Sequence, residues 1–164
     1  MAERAWIKGA QRGSIADLER LFRAYWPRAH RAALLVTGDA AAAEDIAQEA
    51  FLAAVRNLDR FDRRRPFGPW LHRIVVNRAI DWTRARRLRA EVELPERLPA
   101  PSPAQVDGTV FARIAELAPE QRAVVVLRYV LEYTPGEIAD LLDLPRGTVN
   151  SRLRRGLDRM KDES

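Results

Sequence analysis

The chain has 164 residues, with 28 lysine plus arginine against 23 aspartate plus glutamate, no cysteine and two histidines. That length bounds it to one or two domains, and the lack of cysteine excludes a disulfide framework and thiolate chemistry. No apolar run is long enough to span a membrane and the opening MAERAWIKGAQRGS lacks the apolar core of a signal peptide, so a cytoplasmic protein without membrane insertion is expected.

In chain order, Ser14 is placed to cap a helix over IADLERLFRAYWPRAHRAALLVTG, whose Ile15, Leu18, Leu21, Phe22, Tyr25 and Trp26 supply an apolar face. Pro27 is expected to kink or divide it, and Gly38 to end it. Asp39 then caps a second helix, with Ile46, Ala47, Ala50, Phe51, Ala54 and Leu58 on one side. Asp45, Gln48, Glu49 and Leu52 fall on its other faces. They suit either solvent or a basic partner helix.

The loop DRFDRRRPFGPW sets Arg63, Arg64 and Arg65 among Phe61, Phe67 and Trp70. Cations for phosphates and flat rings for unstacked bases are what single-stranded nucleic acid needs; the alternative is that the rings close the core beneath the loop. Pro69 starts a third helix with Leu71, Ile74 and Val75 inward, helped by Ala79 and Trp82. Arg73, Asn77, Arg84 and Arg87 project outward, with Arg86 and Arg89 further along. Residues 91–108, EVELPERLPAPSPAQVDG, hold four of the ten prolines and no helical period, which predicts a flexible acidic linker.

Beyond it, Thr134, Pro135 and Glu137 satisfy a capping box, so a short helix starts near Pro135 and breaks at Asp143-Leu144-Pro145. The next helix carries Val149, Leu153, Gly156, Leu157 and Met160 as an apolar stripe that seats on the preceding helix. Thr148, Ser151, Arg152, Arg155 and Arg159 lie opposite, flanked by Asn150 and Arg154. A short helix, a tight turn and a basic helix make a helix-turn-helix, whose second helix reads the major groove. His30 and His72 have no ligand-spaced partner, and no phosphate-cradling glycine loop or nucleophile–base pair is found. No metal, cofactor or enzymatic activity is therefore expected.

The stretches AEDIAQEAFLAAVRNL, FGPWLHRIVVNRAIDWTRARR and LAPEQRAVVVLRYVLEYTPGEIADLLDLPRGTVNSRLRRGLDRMK, in that order, resemble the second and fourth conserved regions of the extracytoplasmic function (ECF) sigma factors of bacterial RNA polymerase. The resemblance implies an all-α fold of two small helical domains, residues 1–90 and 110–164, joined by a flexible linker over residues 91–109. It implies a non-enzymatic subunit that directs core polymerase to promoters. By the same resemblance Asp45, Gln48, Glu49 and Leu52 dock on core polymerase. Phe61, Arg63, Arg64, Arg65, Phe67, Asn77, Asp81, Arg84 and Arg87 contact the minus-10 element, including a flipped base of the non-template strand. Thr148, Asn150, Ser151, Arg152, Arg154 and Arg155 read the minus-35 duplex. An anti-sigma factor is an implied partner. The chain departs from the family at Asp143, where glycine is commoner, at Asn150, where lysine is, and at Gly156, where alanine is. Asn150 is thus where promoter preference is expected to differ. The chain ends soon after this helix, so no appended sensor domain is expected. Two other readings are a helix-turn-helix regulator acting without polymerase docking and a sigma-mimicking adaptor that binds an anti-sigma factor.

Overall fold

The structure, a computed structural model, describes residues 2–92 and 108–161, and all regular structure among them is helical. The elements are α1 (Ala2–Gln11), α2 (Ile15–Thr37), α3 (Ala40–Arg56), a 3₁₀ turn at Leu58–Arg60, α4 (Phe67–Val92), α5 (Gly108–Glu116), α6 (Pro119–Tyr129), α7 (Pro135–Leu142) and α8 (Arg146–Lys161). The expected linker lies outside the described residues, apart from its ends, which α4 and α5 take up.

The caps explain several boundaries. Ser14 accepts from the Asp17 amide and Asp39 from the Ala42 amide, each satisfying a donor that a helix start leaves open. Gly38 closes α2 in the left-handed region at φ 69°. The capping box is complete, with Thr134 N–H donating to Glu137 and Glu137 N–H to the Thr134 hydroxyl. Asp143 ends α7 at φ 55°, a conformation whose cost a short polar side chain keeps small.

Two expectations are corrected and one helix was not anticipated. Pro27 does not divide α2, which runs unbroken for 23 residues. Helix α4 starts at Phe67 instead of Pro69, since proline is tolerated throughout a first turn whose N–H groups lack helical partners. Helix α1, ten residues long, was not anticipated, although Trp6, Ile7 and Ala10 share the side that meets the core and Arg4 and Lys8 lie opposite.

Alanines at 29, 32, 33, 43, 47 and 50 are fully covered, and with so little side chain between them α2 and α3 pack closely. Leu71, Val75, Val76 and Ala79 of α4 fill the remaining side. Among the last four helices Val124, Leu127, Ile138 and Val149, with Leu117 between α5 and α6, are buried together. The stripe of α8 seats against α6 as well as α7: a Cβ on Gly156 would stand 3.1 Å from Val125 Cγ2.

The two halves share one continuous apolar core, with α2 and α4 packed on α5, α6 and α7. Arg122, 7% exposed, pins this contact. Its guanidinium donates to the carbonyls of Leu117 at 2.9 Å, Val36 at 2.9 Å and Ala115, so one side chain ties α6 to the end of α2. Burial, with the charge of Arg87 beside it, lowers its pKa to about 10, and it stays charged at neutral pH. On the far side of α4, His72 Nδ1 lies 2.6 Å from the Tyr133 hydroxyl, in the segment before α7.

Candidate nucleic-acid interface

The loop between α3 and α4 is built from inside out by its rings. Phe61 and Phe67 are 8% and 3% exposed, with centroids 5.7 Å apart, and Phe61 lies 4.7 Å from Trp70. This burial favours the alternative that Phe61 and Phe67 close the core beneath the loop: in this arrangement an edge-to-face cluster does not offer its faces to a strand. Their work is to hold the loop. Outside it stand Arg63, Arg64 and Arg65, all exposed. Arg64 donates to Asp62 from its backbone N–H and its guanidinium, both at 3.0 Å, and this hydrogen bond holds the Asp62 carboxyl below its usual range.

A cleft of about 820 Å³ opens between this loop and α7. Arg60, Arg65, Trp70 and Arg73 line one wall and Glu137 and Asp140 the other. Farther along α4, Asn77, Asp81, Arg84 and Arg87 are all exposed, and the last two also reach across to the second half of the chain. Arg84 donates to Glu120 at 2.7 Å and Arg87 to the Leu117 carbonyl at 3.3 Å. Two of the expected DNA-facing arginines are therefore bonded within the molecule in this arrangement.

Residues Asp45, Gln48 and Glu49 sit on the outer face of α3, all exposed. Glu49 pairs with Arg78 at 3.1 Å, an exposed pair that contributes little to stability. Leu52, 53% exposed, opens onto a groove with Ile15 at 80%, Phe22 at 41% and Val55 at 40%. Ile15 and Phe22 are corrections, since the periodicity assigned both to the core. The apolar stripe of α2 is wider than the core it meets, and its surplus forms an uncovered patch. That surplus was the available signal.

On α8 the buried side is Val149, Leu153 and Gly156. Asn150, Arg154 and Arg155 are exposed, while Thr148, Ser151 and Arg152 are half-buried, and the charge of Arg152 reaches Glu120. All six lie in the first three turns of a helix following a short break after α7, which suits entry of that end into a groove. Among the described residues no group of histidine and carboxylate side chains could hold a metal ion, and no helix is long and apolar enough to cross a membrane. Sequence reasoning missed Arg122, whose signal is an arginine next to the apolar run AVVVL.

These elements match known families. The sigma-70 region 2 model matches residues 21–89 and the sigma-70 region 4 model residues 109–160. The ECF RNA polymerase sigma factor SigW of Bacillus subtilis is 32% identical over 175 aligned positions, covering 96% of this chain and 92% of that protein. The ECF RNA polymerase sigma factor SigM of Mycobacterium tuberculosis is 34% identical, covering 87% of this chain and 74% of that one. Among solved structures, CnrH in complex with the cytosolic domain of CnrY aligns at TM-score 0.75 and 25% identity over 99% of this chain and 96% of that one. The sigma factor RpoE of Bartonella quintana, solved with the anti-sigma factor NepR, shares the fold at TM-score 0.74 and 21% identity, over 90% of this chain and 96% of that one. The chain belongs to the ECF sigma factors of the sigma-70 family.

Proposed function

We propose that this protein is a cytoplasmic, non-enzymatic subunit that binds core RNA polymerase, directs it to promoters and assists their opening. The observation that carries the reading is that two separate cationic elements and an uncovered apolar groove occur on one chain. Residues 1–90 and 110–164 act as the two modules. The groove of Ile15, Phe22, Leu52 and Val55, rimmed by Asp45, Gln48 and Glu49, accepts a basic, partly apolar helix of core polymerase. Apolar contact gives it area and the carboxylates give it register. The exposed Arg63, Arg64 and Arg65 neutralise phosphates of the melted non-template strand at the minus-10 element, and Asn77 and Asp81 continue that surface along α4. At the minus-35 duplex, Arg154 and Arg155 supply phosphate or guanine contacts and Asn150 can pair with adenine.

In the closed arrangement Glu120 and the Leu117 carbonyl hold Arg84 and Arg87. Promoter engagement exchanges those bonds for DNA contacts, so the two halves separate on binding. A protein that covers both halves, as an anti-sigma factor does, regulates this chain. Purified protein added to core polymerase is expected to give promoter-specific transcripts from a genomic template library. No specific transcript from any template would overturn the reading.

A further inference from the structure

The cations of α1 have no task in binding core polymerase, the minus-10 element or the minus-35 duplex as assigned above. Arg4 and Lys8 stand four apart, which sets them on one side of the helix, with Arg12 just past its end, and all three are exposed. The opposite side is accounted for: Ile7 is 2% exposed, with Trp6 and Ala10 packed on the same core. Glu3, the one carboxylate of α1, accepts a hydrogen bond from the Tyr25 hydroxyl. Among the described residues, no ion pair engages Arg4, Lys8 or Arg63.

These cations are held against the loop. Gln11 Nε2 donates to the carbonyls of Leu58 and Phe61 at 2.9 and 3.1 Å, bonding the end of α1 to the start of the loop. Gly9 lets α1 lie tightly on α2, since a Cβ there would stand 1.7 Å from Asp17 Oδ2. The result is a second cleft, of about 410 Å³, lined by Arg4, Ala5, Lys8, Arg63 and Arg64. The loop's arginines are thus divided. Arg65 lines the cleft toward α7 and Arg63 and Arg64 the cleft toward α1.

We propose that this cleft between α1 and the loop binds the sugar–phosphate backbone of single-stranded DNA, with Arg4 and Lys8 extending the strand path beyond the loop arginines. The proposal rests on the reading of the loop as a single-strand element. The lining has four cations, no carboxylate and no aromatic face, so it suits phosphates and does not select bases. A duplex is disfavoured by position, because the cleft continues from a loop assigned to melted strand. An acidic protein segment would leave unexplained why the cleft joins the loop.

The test uses holoenzyme assembled from the full chain and core RNA polymerase, with fluorescein-labelled single-stranded oligonucleotides of graded length. Each phosphate neutralised on a single strand contributes about 0.7 to the slope of log affinity against log salt. Arg4→Gln with Lys8→Gln is expected to lower that slope by about 1.4 and to abolish the affinity gained by lengthening the oligonucleotide past the loop's reach. Minus-35 duplex binding and the thermal midpoint should be unchanged, since both residues are exposed. If the double variant keeps the full slope while Arg63→Gln with Arg64→Gln lowers it, the α1 cleft is refuted and the loop assignment stands. If neither pair alters single-strand binding, or the chain does not assemble with core polymerase, the reading of the loop fails and the cleft with it.

Discussion

The buried contact between His72 and Tyr133 makes stability depend on pH with a definite sign. His72 is 3% exposed and its Nε2 has no hydrogen-bond partner. Burial first, and the charge of Arg28 second, lower its pKa from the usual 6.5 to about 4. Burial also pushes the Tyr133 hydroxyl up, so it keeps its proton and can donate to a neutral imidazole at Nδ1. A folded-state pKa below the unfolded one means that the unfolded chain takes up the proton first as pH falls. The stability is therefore fully present above pH 6.5 and is lost between 6.5 and 4, by about 2 kcal/mol at pH 5 and about 3 kcal/mol below pH 4. Urea unfolding of the wild type and of His72→Leu, each at pH 7.5 and pH 5, isolates the effect because the variant retains every other titration. The wild type is expected to lose about 2 kcal/mol more than the variant over that interval. Equal losses would refute the argument and show that His72 meets water in the folded protein. Tyr133→Phe should keep the pH dependence, since burial is its main cause, while lowering stability at pH 7.5 by about 1 kcal/mol.

Arg122→Met keeps an unbranched apolar stem and removes the guanidinium with its donors. Val36 O retains the Thr83 hydroxyl at 3.3 Å and Leu117 O retains Arg87, so the expected loss is about 2 to 4 kcal/mol rather than three full hydrogen bonds to a charge, read by urea unfolding. Phe61→Ala should cost about 3 to 5 kcal/mol in the same measurement, because the ring is core. A wild-type unfolding midpoint would restore it as a base-contacting residue. Thr134→Ala breaks the capping box and should cost about 1 kcal/mol, with duplex binding falling only as far as α8 loses its seat. Replacing Arg152 and Arg155 by alanine should lower the duplex salt slope by about 0.9 for each phosphate left without its arginine, with binding to core polymerase unchanged. Loss of core binding instead would contradict the assignment.

Local signals were legible wherever one residue's chemistry decides the backbone. Gly38, Asp39, Thr134, Glu137 and Asp143 act within a turn of themselves, and their positions in the chain suffice to place helix ends. The side that a residue faces was legible only where the stripe and the core are equally wide. Over the first turns of α8 they are, and Val149, Leu153 and Gly156 are buried as the period requires, while Leu157 and Met160 stay half-buried. On α2 they are not, so Ile15 and Phe22 read as core and lie on the surface.

The sequence alone determined the capped helices α2, α3 and α7, the helix-turn-helix and the family, because these follow from caps, periods and ordered motifs that act over short distances. Only the tertiary structure decided that Phe61 and Phe67 serve the core, that Arg84 and Arg87 are bonded to α6 and the Leu117 carbonyl just before it, and that α1 brings Arg4 and Lys8 to the loop. Each depends on groups far apart in the chain meeting in space. An arginine facing a carbonyl and an arginine facing water have the same neighbours in sequence, and what separates them is which helix arrives opposite.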